Sequence, residues 1–121
     1  MTDKEIGQTG EKVAKKWLKK QGFYIIETNF RNKIGEIDII AEKDNIYHFV
    51  EVKSVAGIKD NVFYPEDRVN YKKRTKLKQL ANSYLNYKNL KDTDWQIDIA
   101  SVYLNTKTRR ARVEFFENIE I

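Results

Sequence analysis

Two runs dense in β-branched and apolar residues, 35–42 and 46–54, stand on either side of Asp44-Asn45. Asp-Asn is turn chemistry, and each run has the length and composition of a strand. The arrangement predicts two adjacent antiparallel strands, against which the rest of the chain must pack. Tyr47, Phe49 and Val50 give the second run the character of a central strand.

The flanking segments supply the covering layers. Residues 11–20 read as a helix, with Val13, Ala14, Trp17 and Leu18 as its apolar stripe and Gln21-Gly22 ending it. Residues 23–28 read as a strand. Residues 69–87 read as a long helix with Val69, Leu77, Leu80, Ala81, Tyr84 and Leu85 on one face. Residues 95–104 and 112–116 read as further strands. Residues 55–67, with Gly57 and Pro65, form a loop long for a compact domain, and such loops often work on ligands. The fold class expected is α/β: one mixed sheet of about five strands flanked by helices, in a single domain over residues 1–121.

Composition removes much chemistry. The 121 residues contain no cysteine, which excludes disulfides, thiolate metal sites and a cysteine nucleophile. A single histidine, His48, argues against His-rich metal sites and a Ser–His–Asp triad. No segment approaches the ~20 apolar residues of a membrane span. The first twenty residues hold six lysines and no apolar run, so no signal peptide is expected and the expected location is cytoplasmic. The available groups are carboxylates, lysines, hydroxyls and amides.

Charge is unevenly placed. The chain carries +5 overall, yet residues 68–91 hold eight basic residues and no acid, leaving −3 for the remainder. A concentrated basic segment points to a polyanion, nucleic acid being the commonest. A lysine-rich solvated helix face would read the same way.

At four places charge falls on a face expected to be buried, where an unpaired charge costs several kcal/mol. Glu11 lies at the edge of the first helix's stripe, a place also suited to an ordinary first-turn glutamate. Asp38 lies between Ile37 and Ile39, and aspartate is a poor strand former. Glu36 shares its face and reads as a strand-edge residue on solvent. Glu51 and Lys53 share one face of the next strand, which also fits a plain ion pair. Lys73 lies four residues from both Val69 and Leu77 and reads either as a snorkelling lysine or as one aimed at a phosphate. Asp98 reads as a partner of Lys73 or of a backbone group, not as a catalytic residue.

Asp38 and Glu51 on adjacent antiparallel strands bring two carboxylates within reach of one cation. An all-oxygen donor set suits Mg²⁺ or Mn²⁺. The Val52 carbonyl adds a donor, and Glu11 another, directly or through water. Such an ion polarises a phosphodiester and activates water, while Lys53 orients that water or neutralises developing charge. Lys73, Arg74 and Lys76 on the basic helix are the expected nucleic-acid contacts.

These residues resemble the PD-(D/E)xK nuclease motif: Asp38, then twelve residues, then Glu51-Val52-Lys53. With Glu11 on the preceding helix, the set is similar to the archaeal Holliday-junction resolvases of that superfamily. The chain as a whole resembles the YraN-like family of small bacterial proteins. The matching stretches are Gly10-Glu11, Asn29-Phe30-Arg31, residues 35–41 and residues 49–53. Pro65, Val69, Lys73, Leu77, Ala81 and Tyr84-Leu85 follow at the family's spacing. Ile37 stands where the motif's name has proline. The resemblance implies a restriction-endonuclease-like fold, a metal-dependent nuclease site at Asp38, Glu51 and Lys53, and a helper role for Glu11. By analogy with the resolvases it also implies a homodimer.

Three functions are compatible with these residues. The first is a Mg²⁺- or Mn²⁺-dependent endonuclease of DNA, with branched or irregular DNA as a candidate substrate. The second is a non-catalytic nucleic-acid-binding module on the same fold. The third is a protein-interaction adaptor using Tyr64, Tyr71 and Tyr87. No base-reading motif is present, so sequence-specific cleavage is not expected.

Overall fold

The computed structural model describes residues 1–56 and 71–119. Its elements run α1 (Asp3–Lys20), β1 (Tyr24–Arg31), β2 (Glu36–Lys43), β3 (Ile46–Ala56), α2 (Tyr71–Tyr87), β4 (Asp94–Asn105) and β5 (Arg110–Phe116). The strands form one sheet in the order β1-β2-β3-β4-β5. β3 and β4 pair in parallel, with α2 lying between them in sequence, and the other three pairings are antiparallel. The α/β architecture expected from the sequence is the one observed. No helix among the described residues is long and apolar enough to cross a membrane.

The β2–β3 turn forms where the sequence places it. Asp44 and Asn45 adopt φ of 53° and 65°. Two successive left-handed residues match the twist of a two-residue hairpin, and Asp and Asn tolerate that region best among non-glycine residues. The turn fixes the register, which runs from Lys43↔Ile46 to Ile39↔Val50.

α1 begins at Asp3, not at residue 11. Thr2 Oγ1 accepts the Glu5 N–H at 3.1 Å, and Glu5 Oε1 accepts the Thr2 N–H at 2.9 Å. This reciprocal cap satisfies two otherwise orphaned donors and starts the helix ahead of its apolar stripe. Gly7 and Gly10, which weaken the helical reading of the early residues, are carried inside it.

An apolar layer lies on each face of the sheet. On one face, Ala14 and Leu18 of α1 pack with Phe23, Ile39, Ala41, Val50, Ala100 and Val102. On the other, Leu77, Leu80, Ala81, Tyr84 and Leu85 of α2 pack with Ile37, Ile40, Phe49, Ile97 and Ile99. Tyr84 meets Phe30 and Phe49 edge-on at ring separations of 5.1 and 5.8 Å, a favoured aromatic geometry. Fully burying each large side chain contributes roughly 1.5–3 kcal/mol, so these layers hold the strands that carry the charged residues.

One polar network is enclosed between the strands. Asp98 Oδ2 lies 2.6 Å from His48 Nδ1, and Asp98 Oδ1 accepts from Gln96 Nε2 and from the Asn118 N–H, both at 2.8 Å. Of the two partners expected for Asp98, Lys73 or a backbone group, the backbone group is found, the Asn118 N–H, together with His48 and the Gln96 amide. Lys73 lies on α2, beside another carboxylate.

Candidate functional site

The site starts from a fault in strand alternation. Ile39 packs toward α1 and Ile37 toward α2, although residues two apart in a regular strand share a face. Across from this point on β1, Asn29 adopts φ of 55° within the strand. A left-handed residue twists the pair locally, and asparagine bears that conformation at low cost. Asp38 sits at the twist. Its Oδ2 accepts the Val52 N–H at 2.7 Å, so a carboxylate takes a donor just past the last ladder pair between β2 and β3.

Glu51 reaches the same place from β3. Val50 and Val52 pack on the α1 face, so Glu51 and Lys53 project on the α2 face. Glu51 is buried, and Asp38 is half-buried within its hydrogen-bonding reach. Burial, reinforced by the charge of Glu51, pushes the Asp38 carboxyl up to about 8. Glu51 Oε2 is fully buried and accepts no well-formed hydrogen bond, but Lys73 Nζ stands 3.2 Å from it.

α1 brings Glu11 to the edge of the site. A Cβ on Gly10 would lie 1.7 Å from Ser54 Oγ and 2.6 Å from Ser54 Cβ. Only glycine allows this close approach of helix to strand. The next residue, Glu11, accepts a hydrogen bond from Asn29 Nδ2 at 2.9 Å. Glu11, Asp38, Arg31, Glu36 and Val52 border one open cleft of about 720 Å³. Glu36 is half-buried there and ion-paired with Arg31, not simply a solvent-facing edge residue.

The structure thus gathers Asp38, Glu51, Val52 and Lys73, with Glu11 bordering them. Lys53 is half-buried two residues beyond Glu51. Arg74 is half-buried and Lys76 exposed on α2. Among the described residues no three His, Asp or Glu side chains converge as a metal cluster. The carboxyl groups in contact are accordingly Asp38 and Glu51, and Glu11 stands outside that pair. Arg68, Tyr64 and most of the expected 55–67 loop lie outside the described residues, while Val55 and Ala56 continue β3.

Sequence reasoning missed three contributors. Gly10 shows no chemistry of its own. Asn29 acts through a backbone angle set by distant pairing. Ser101 lies opposite Lys53 in the parallel β3–β4 register and buries a hydroxyl with no hydrogen-bond partner.

A family model described as "Uncharacterised protein family UPF0102" matches residues 10–102. The chain belongs to this family. UPF0102 is the YraN-like family that the sequence resembles, and the matched stretch contains Gly10, Glu11, Asn29, Asp38, Glu51, Lys53 and Lys73. A UPF0102 protein of Clostridioides difficile (strain 630) is 46% identical over 107 residues, covering 88% of this chain and 92% of the relative. One from Clostridium beijerinckii is 37% identical over 116 residues, covering 96% and 93%. One from Campylobacter fetus is 41% identical over 114 residues, covering 94% and 92%. These UPF0102 relatives match the chain nearly end to end.

Proposed function

We propose that the chain is a divalent-cation-dependent endonuclease that hydrolyses phosphodiester bonds in DNA, with branched or otherwise irregular DNA as the substrate class. The observation that carries this reading is the Asp38–Glu51 pair: two carboxylates in contact, one of them buried, with a single backbone donor to Asp38. Like charges so placed repel, and a proton or a cation between them relieves that repulsion. Buried Glu51 Oε2 and the hard-oxygen donor set fit Mg²⁺ or Mn²⁺.

Asp38, Glu51 and the Val52 carbonyl would hold the ion, which when bound supplies Lewis acidity and an acidified water. The Val52 N–H fixes one oxygen of the Asp38 carboxyl group. Lys53 serves as the cation that faces developing charge on phosphate. Lys73 neutralises Glu51 and would also serve as a cation for substrate phosphate. Arg74 and Lys76 extend the positive surface along α2, and Glu11 acts at the cleft wall as a helper. The nuclease superfamily resemblance of the Asp38…Glu51-Val52-Lys53 pattern agrees with these roles.

The reading is tested with labelled single-stranded, duplex, flap and four-way-junction DNA in Mg²⁺ and Mn²⁺. Cleavage of one class by the wild type, absent in Asp38→Ala with DNA binding retained, is the expected outcome. Cleavage that survives both Asp38→Ala and Glu51→Ala would overturn it.

A second reading, a non-catalytic nucleic-acid-binding module, is favoured by one contact. Lys73 Nζ already stands beside Glu51 as a built-in cation. Salt-sensitive DNA binding with no cation binding at Asp38–Glu51 would select this alternative.

A further inference from the structure

A further concentration of positive charge lies at the β4–β5 hairpin, far along the chain from α2. Residues 106–112 hold Lys107, Arg109, Arg110 and Arg112 and no acid, and all four cations are exposed. Arg112 is occupied: it pairs with Glu114 and stacks over Tyr103 at 4.3 Å from the ring centroid. Lys107, Arg109 and Arg110 enter no ion pair among the described residues.

The tip is held in one shape. Asn105 Oδ1 accepts the N–H groups of Lys107 and Thr108 at 3.0 and 3.1 Å. The Arg109 N–H donates to the Asn105 carbonyl at 2.8 Å. Arg109 itself sits at φ of 59°, a position where glycine or asparagine avoids strain. Three like charges share one exposed turn and are not ion-paired among the described residues. An external polyanion would relieve their mutual repulsion.

Placement selects the polyanion. Glu51 pairs in register with Ile99, and Ala56 with Leu104, so the tip lies beyond the ends of the strands carrying the carboxylates. From Ile99 to Asn105 the chain advances six residues, about 20 Å at ~3.3 Å per residue. That length equals roughly six base steps of duplex DNA at ~3.4 Å each.

We propose that the β4–β5 hairpin tip is a second contact for duplex DNA, gripping phosphates about six base pairs from the carboxylate pair through Lys107, Arg109 and Arg110. This rests on the reading that the chain acts on DNA. The hairpin adds affinity and orientation and carries no sequence preference, because phosphate contacts read no bases.

The test uses the full chain, EDTA and a fluorescent duplex of about 20 base pairs, long enough to reach both surfaces. A Lys107→Gln/Arg109→Asn/Arg110→Gln variant keeps a residue suited to the left-handed position, so its melting temperature stays at or above that of the wild type. A Lys72→Gln/Lys76→Gln variant samples α2 separately. The hairpin variant is expected to bind about tenfold more weakly at moderate salt, with the slope of log K against log salt shallower by about 2 to 3. A duplex too short to reach the tip, about four base pairs past a junction, should bind both proteins alike. Unchanged affinity and slope in the hairpin variant, with loss in the α2 variant, would overturn the hairpin contact and leave the nuclease reading standing. Absence of any salt-dependent DNA binding by the wild type would overturn both.

Discussion

Asp38 and Asp98 occupy the same tripeptide, Ile-Asp-Ile, in strands β2 and β4, yet they do opposite things. Asp98 is fully buried and each of its oxygens is engaged, by His48 on one side and by Gln96 and Asn118 on the other. Asp38 is half-buried, has one donor from Val52, and faces a second carboxylate. The residue two positions earlier differs in kind. Gln96 donates to Asp98, whereas Glu36 pairs with Arg31. A satisfied buried carboxylate is structural glue, whereas two carboxyl groups in contact repel when both are charged.

The largest effect that separates the two is on folding. Asp98→Ala leaves His48, Gln96 and the Asn118 N–H without their acceptor inside the protein and should cost about 3 kcal/mol or more in urea unfolding. Asp38→Asn keeps a neutral, hydrogen-bonding group beside Glu51 and should be close to neutral in metal-free buffer at pH 7 and stabilising above pH 8, where Asp38 would ionise against Glu51. Equal losses at both positions would erase the distinction.

A smaller effect tests how the Asp38 side is assembled. Gly10→Ala places a methyl against Ser54 and should destabilise by about 1–3 kcal/mol while displacing Glu11 from Asn29. Adding Ser54→Gly opens the space and should recover most of that loss, read by thermal unfolding. No loss in the single variant would show that α1 docks less closely than its contact with Ser54 requires.

A further effect is a pH slope. Folded Asp38 keeps its proton up to about 8, while the unfolded chain releases it near 3.8. Between those values the native state binds more protons, so stability falls as pH rises. In EDTA, the wild type should lose at least about 1 kcal/mol relative to Asp38→Asn between pH 5 and 8, since a tenfold difference in proton affinity between the folded and unfolded chains is worth ~1.4 kcal/mol. Parallel pH profiles of the two proteins would mean that no such repulsion acts on Asp38.

How much of this was legible depended on whether the cause was local. The β2–β3 hairpin is readable because apolar density and Asp44-Asn45 act within a few residues. The α2 face is readable because Leu77, Leu80, Ala81, Tyr84 and Leu85 keep a helical period. Asp38, Glu51 and Lys53 stand out as charges in strands that ought to be apolar. The start of α1 hides because Gly7 and Gly10 look like breakers, and the need for Gly10 arises only where Ser54 meets the helix. Asp98 and Asp38 are alike in their immediate sequence, and the partners that distinguish them come from other strands. The hairpin cations are overshadowed by the denser run on α2, since linear charge counts do not show which residues share an end of the sheet.

Whether Asp38 and Glu51 form a cation site can be read by calorimetric titration of Mn²⁺ into metal-free protein at pH 7. Run in two buffers of different ionisation enthalpy, the titration also counts protons. The wild type should bind one Mn²⁺ and release close to one proton as Asp38 gives up its own, with both signals lost in Asp38→Asn. No saturable binding by the wild type, or undiminished binding by Asp38→Asn, would contradict a cation site at this pair.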